Sequence, residues 1–321
     1  MKAVIYTGSG DVGVVELRES PLPEPGLQRI RVRVRASALN RADILQRQGK
    51  YPAPPGWPAD IPGLEYAGEV ESLGPEVGRW RIGDRVMGLV GGGAHAEYVV
   101  VHEDEAIAVP GGIDLAAAAA IPEAFLTAWD ALVTRARVRP GERVLIHAVG
   151  SGVGTAAVQL ARWLGATTIG TSRRPDKLAR AVGLGLDEPV DSSGGGFRWS
   201  LRAPVDVILD VLGGPAFSEN LSALAPRGRL VVLGLLQGSR AEVGLDIILR
   251  QRLEVIGSVM RTRTLGERIA LTSEFSSRVL PGFEERELKP VVDVTYPFAA
   301  IAEAHTAMEQ DSNFGKIVLT W

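Results

Sequence analysis

Cysteine is absent from the 321 residues, so the chain has no disulfide, no thiolate nucleophile and no zinc site that needs sulfur. Histidine is scarce: His95, His102, His147 and His305 are scattered and show no metal spacing. No sign of charge dominates. The 35 Lys and Arg against 38 Asp and Glu leave a net charge of -3, which gives neither a basic field for nucleic acid nor an acidic tail. No apolar run approaches the roughly 20 residues of a membrane helix. The opening Met1-Lys-Ala-Val-Ile-Tyr-Thr7 has no signal-like apolar region or cleavage site. These absences lead us to expect a cytoplasmic protein that binds neither nucleic acid nor membrane. What remains is ordinary globular composition, in a chain long enough for two cores.

Two textures divide it. The first third reads as short strands separated by Gly/Pro turns. In Arg29 to Ala36, Ile30, Val32, Val34 and Ala36 alternate with arginines, and a period of two predicts an apolar face opposite a solvated basic one. From about Ala116, apolar strands alternate with helical patterns. Expected strands are Val144 to Ile146, Thr167 to Thr171, Val205 to Leu209, Leu230 to Leu233 and Leu253 to Ile256. Expected helices are Asp176 to Leu184, Pro215 to Leu224 and the stripe Val153, Ala156, Ala157, Leu160, Ala161, Leu164, stopped by Gly165. Such alternation implies an α/β fold with a doubly wound parallel sheet. The final strand, Lys316 to Thr320, is expected to return to the first domain.

Ala148-Val-Gly-Ser-Gly-Val-Gly154 sits between a predicted strand and a predicted helix. Small residues there let backbone N–H groups approach a pyrophosphate, and the helix N-terminus adds partial positive charge. Gly150, Ser151, Gly152, Val153 and Gly154 are therefore candidate dinucleotide ligands. Gly150 and Gly152 fit the G-x-G-x-x-G spacing, but its third position falls on Thr155. NAD sites place an acid at the end of the next strand. Here stand Ser172, Arg173 and Arg174, with Lys177 a turn later. Arginine can bond a 2′-phosphate that an acid would repel, so NADPH is the expected cofactor, held in part by Ser172, Arg173 and Lys177. Asp176 dissents, but also suits a helix start. Gly234, at a strand's carboxyl end, and Arg261, as a phosphate partner, complete this set.

In this order, Asn40-Arg-Ala-Asp43 with Gln46-Arg47, Pro62-Gly-Leu-Glu65, Gly83-Asp-Arg-Val86, Ile121-Pro-Glu-Ala-Phe-Leu-Thr127, the glycine turn and Asn313-Phe-Gly-Lys-Ile-Val-Leu319 resemble the zeta-crystallin-like quinone oxidoreductases of the medium-chain dehydrogenase/reductase superfamily. The resemblance covers essentially the whole chain. It implies a β-rich GroES-like catalytic domain over 1–120, a Rossmann NADPH-binding domain over 121–260 and a segment, 261–321, that completes the first domain. It further implies a homodimer that reduces quinones. The alternatives are reduction of α,β-unsaturated carbonyls or enoyl thioesters, or a non-enzymatic crystallin-like, RNA-binding role.

The resemblance places Asn40, Tyr51 and Thr127 around the reacting acceptor, with His95 a lesser candidate to touch substrate. Zinc-dependent members have a catalytic Cys where this chain has Asn40, and Gly-His-Glu where it has Gly63-Leu64-Glu65, so no metal is expected. Relatives also often carry a tyrosine beside the 2′-phosphate, where this chain has Asp191-Ser-Ser193. Hydride addition to a quinone leaves a delocalised anion, which makes a Lewis acid dispensable.

Overall fold

The computed structural model describes all 321 residues. They form two compact units, Met1–Leu126 with Arg261–Trp321, and Thr127–Met260. The first seam falls inside the helix Pro122–Trp129, after Leu126 and so beyond the change in sequence texture near Ala116.

In the first unit, Arg29–Ala38 is the spine of a seven-stranded sheet. Glu65–Leu73, Tyr98–His102 and the C-terminal Lys316–Thr320 all pair with it antiparallel. The last pairing sets Val318 opposite Ala38 and Leu319 opposite Ser37, so the final strand does return. Ile30, Val32 and Val34 are buried with Tyr66, Val70 and Val86. Full burial of such a side chain stabilises by about 1.5–3 kcal/mol. The opposite face differs from expectation. Arg33 is exposed, but Arg31 is buried against Glu71, 2.7 Å away, and Arg35 bonds Glu69 at 2.8 Å. Glutamates on the neighbouring strand thus neutralise two of the four arginines of the stripe.

The second unit is a six-stranded parallel sheet ordered Glu188–Asp191, Thr167–Ser172, Arg143–Ile146, Val205–Asp210, Leu224–Val232, Glu254–Gly257. In chain order that is 3-2-1-4-5-6, with the switch point beside Arg143–Ile146, where open α/β sheets bind their ligands. The helix Gly152–Trp163 buries Ala156, Ala157, Leu160 and Ala161, and Gly165 follows it at φ 80°. The predicted helices are observed as Pro175–Val182 and Ala216–Ala223. Sequence patterning missed the strand Glu188–Asp191. It lies at the sheet edge with only Val190 buried, and its Pro189 is tolerated because an edge strand need not donate.

One expectation needs correction. The segment Leu115–Arg135 is long and apolar enough to cross a membrane by length and composition, at mean hydropathy 1.3. The structure explains it as core, with 78% of that window buried inside the protein.

Candidate active site

In the second unit the strand Arg143–Ile146 runs into a tight turn whose Ala148 adopts φ 48°, a left-handed backbone unusual for a side-chain-bearing residue. Ser151 then caps the helix Gly152–Trp163, its Oγ accepting from Gly154 N at 3.0 Å. Thr155 N donates to Ser151 O at 2.9 Å. The amides of Gly152 and Val153 have no acceptor in the chain. They are the donors that a helix N-terminus offers to an anion. Gly154 meets a different need. A Cβ there would lie 2.5 Å from Ala148 O and 2.7 Å from Val149 O, so it provides the close helix–turn packing expected of the fingerprint's third glycine, one residue early.

The strand Thr167–Ser172 ends beside this turn, with Val149 N donating to Thr171 O at 3.0 Å. Ser172 Oγ accepts from Arg174 N at 3.0 Å, and Arg174 forms a fork with Asp176 at 3.0 Å on each arm. Arg173 is exposed, whereas Lys177 is buried along its helix. Asp191 stands in register with Ser172. Its exposed carboxylate is held below the usual range by hydrogen bonds from Ser193. Gly234 N donates to Asp210 O at 3.3 Å, so this glycine offers close approach rather than a free donor. Thr127 Oγ1 is buried and has no partner, as suits a group awaiting a polar ligand.

His147 is the structural histidine that ends the first strand of this unit. Its ring is bonded on both sides, to Thr171 Oγ1 at 2.8 Å and Asn220 Oδ1 at 2.7 Å. Sequence reading did not single out Asp210. It ends the strand Val205–Asp210, its Oδ1 shaping the following turn through Leu212 N and Gly213 N at 2.7 and 3.1 Å.

In the first unit Asn40 belongs to a buried charged cluster. Lys316 Nζ lies 2.6 Å from both Asn40 Oδ1 and Glu65 Oε1. Asn40 Nδ2 donates to Glu65 Oε1 at 2.9 Å and Ala38 O at 3.2 Å. With both amide hydrogens engaged, Asn40 can present only acceptor capacity to a ligand. Glu65 Oε2 also accepts Glu123 N at 2.8 Å. Three distant segments are thereby locked to one carboxylate. In sequence, Lys316 and Glu65 are members of two separate motifs, with nothing to pair them. The available signal was a lone charge in an otherwise apolar strand.

The rest of the Asn40-to-Arg47 motif is architectural. Asp43 accepts from Asn40 N at 2.7 Å and Gly63 N at 3.1 Å. Burial nevertheless raises its carboxyl to about 6. Arg47 is buried against His305, Glu309 and Gly10 O. His95, considered for substrate contact, is fully buried and meets the ring of Phe298 edge-on. Burial lowers it to about 3 and keeps it neutral.

Tyr51 and Arg261 lie together in the first unit. Tyr51 is half-buried, and its hydroxyl has no partner in the chain. Arg261, expected near phosphate, instead lies inside the first unit. It donates to Gly91 O at 2.9 Å, Tyr51 O at 2.9 Å and Gln46 Oε1 at 2.5 Å. Three of its five N–H donors are thus engaged by neutral acceptors.

No group of three or more His, Cys, Asp or Glu is placed to hold a metal. At the positions where the resemblance puts the zinc ligands stand Asn40, Leu64 and Glu65, and Glu65 already carries the Lys316 ammonium. A second cation there would face direct repulsion.

Comparison with known proteins agrees with this architecture. Residues 26–111 match the alcohol dehydrogenase GroES-like domain, and residues 184–319 match the zinc-binding dehydrogenase family. A quinone oxidoreductase of Pseudomonas aeruginosa is 35% identical, covering 99% of each chain. The crystal structure of an NAD-dependent alcohol dehydrogenase superposes with TM-score 0.89 at 33% identity, over 100% of both chains. That of CurK enoyl reductase gives 0.87 at 25% identity, over 99% of this chain and 98% of its own. The fold, the two matched domains and the full-length relative together establish that this chain is an oxidoreductase of the medium-chain dehydrogenase/reductase superfamily, in its quinone-oxidoreductase branch.

Proposed function

We propose that the chain is a zinc-independent, NADPH-dependent quinone reductase that works in the cytoplasm as a homodimer. The observation that carries the cofactor reading is the end of the strand Thr167–Ser172. Ser172 and Arg173 stand where an NAD site would present an acid. The full-length similarity to a quinone oxidoreductase supports the acceptor class. The likeness to an enoyl reductase keeps conjugated thioesters as the second reading. With Arg31 and Arg35 paired to glutamates, the stripe loses half its free charge, which weighs against an RNA-binding role.

The glycine turn fits a dinucleotide: it has two free amides at a helix start and a glycine where a Cβ would collide with the turn. The Gly152 and Val153 amides would hold the pyrophosphate, and Ser172, Arg173 and Lys177 the 2′-phosphate. Thr127 Oγ1 would orient the nicotinamide end. When bound, the cofactor supplies a hydride. The protein's further work is to hold the acceptor oxygen and limit water. Asn40, lacking a spare N–H, cannot donate to that oxygen. Tyr51, with its free hydroxyl, can.

Zinc-free chemistry has a direct test. Protein stripped with EDTA should keep full quinone reduction; stoichiometric zinc with chelator-sensitive turnover would overturn that reading. The cofactor reading is tested by affinities. NADPH should bind at least about tenfold tighter than NADH, a difference of about 1.4 kcal/mol, and Arg173→Ala should erode the preference while leaving NADH binding unchanged. The test is a demanding one, because Asp191 lies in register with Ser172 and a structural relative is named as NAD-dependent. Equal affinities in the unaltered protein would refute NADPH selectivity. A quinone and enone panel then separates the two acceptor classes.

A second copy of the chain fits the outer edge of the parallel sheet. The edge strand Glu254–Gly257 has a partner on one side only. Val255 and Val259 are exposed there, as are Leu245 and Leu249 on the preceding helix. An unpaired apolar edge of this kind is normally covered. Sedimentation should report a dimer that Val255→Lys dissociates; a monomeric parent protein would exclude it.

A further inference from the structure

The guanidinium of Arg261 is buried at 7% exposure and lies 4.9 Å from the centre of the Tyr51 ring. Its fork fixes both ends of the loop that carries this ring. One arm reaches Tyr51 O directly. Another reaches Gln46, whose Nε2 donates to Ala59 O at 3.2 Å. Nε holds Gly91 O. Close to Gly91, the indole of Trp57 packs so tightly that a Cβ on the glycine would lie 2.5 Å from it. Arg268 in turn sits 5.9 Å from that ring. The loop is thus braced from within the first unit, and the Tyr51 hydroxyl is left unbonded.

We propose that Arg261 is a positioning residue for Tyr51, setting a buried positive charge against the phenol so that its hydroxyl is aimed at the acceptor oxygen and strengthened as a donor. This rests on the reading of Tyr51 as the group that meets the acceptor. Hydride arriving at the acceptor carbon shifts a π electron pair onto the acceptor oxygen. The Tyr51 O–H donates a hydrogen bond to the resulting anion, which then takes its proton from water. The nicotinamide donor is oxidised and the acceptor reduced by two electrons.

A cation stacked on the ring withdraws electron density from the phenol, and a donor improves as its acidity rises. The direction agrees with the electrostatics. Burial and Glu123 raise the phenol's pKa, while Arg261 is the charge that lowers it. An arginine suits the position because one planar group can serve three acceptors and still lie against a ring, whereas a lysine offers a point charge.

The test is a double-mutant cycle on the full-length protein, read as kcat/KM for a small quinone, with NADPH affinity measured separately. Tyr51→Phe should lower kcat/KM less than about tenfold, the scale of a positioning hydrogen bond rather than an acid catalyst. Arg261→Gln should lower it about fivefold, again one hydrogen bond's worth, and Arg261→Lys should recover at least half of that loss. In the Tyr51→Phe background, Arg261→Gln should have no further effect. NADPH affinity should not change in any variant.

Equal losses from Arg261→Gln in both backgrounds would make Arg261 merely structural and overturn the proposal, while leaving Tyr51's role intact. A tenfold loss of NADPH affinity would return Arg261 to phosphate binding and also overturn it. If Tyr51→Phe matches the parent, both the proposal and the reading beneath it fail. Should Arg261→Gln not fold, Gln46→Ala removes one acceptor of the fork and takes its place in the cycle, with the same pattern expected.

Discussion

Lys316→Met is expected to destabilise the protein by about 3–5 kcal/mol, the scale seen when one partner of a buried ion pair is removed. The side chains of Lys316 and Glu65 are both almost wholly inaccessible and 2.6 Å apart. Taking away the ammonium leaves the Glu65 carboxylate charged in a medium that cannot solvate it. It also removes the donor to Asn40 Oδ1. Quinone turnover should fall with stability, because Asn40 loses the contact that fixes its amide orientation. A second substitution separates charge from packing: Glu65→Gln added to Lys316→Met removes the orphaned charge and should recover part of the lost stability. Urea denaturation followed by fluorescence measures both effects. A single variant as stable as the parent, or a double variant no better than the single, would show that the pair is not coupled in this way.

Gly154→Val should reduce NADPH affinity at least about a hundredfold while the first unit stays folded. Even the first atom of the new side chain would sit 2.5 Å from Ala148 O and 2.7 Å from Val149 O. Both are backbone atoms, so no rotamer change relieves the clash. The turn must open, and it carries the Gly152 and Val153 amides away from where a pyrophosphate would meet them. Gly8→Ala is the control, since nothing lies within 4 Å of its added Cβ, and it should bind NADPH as the parent does. Titration of NADPH fluorescence, with circular dichroism to confirm folding, gives the comparison. Affinity within threefold of the parent would mean that the cofactor does not depend on this turn.

Local pattern carried most of the architecture. The alternation in Arg29 to Ala36, the helical stripe from Val153 and the regular return of short apolar strands each encode a periodicity of 2 or 3.6, which depends only on neighbours in the chain. The edge strand Glu188–Asp191 escaped because a strand buried on one side by a single residue has no periodicity to read. The apolar stretch Leu115–Arg135 escaped for a related reason. Its character is spread across three short helical pieces, the second opening on Pro122, and no single run announces it.

By itself, the sequence determined the α/β class, the glycine turn that opens the helix Gly152–Trp163, the lack of an acid at Ser172 and the lack of sulfur ligands. Each of these depends on residue type at a position or on spacing along the chain. Only the tertiary structure decided what the charges do. Lys316 meets Asn40 across an antiparallel strand pairing 276 residues long in sequence separation. Arg261 meets Gln46 across a separation of 215. A guanidinium or ammonium reads the same in sequence whether it faces water, phosphate or a buried carboxylate. Its role is set by which groups the fold brings within about 3 Å of it, and no local pattern contains that distance.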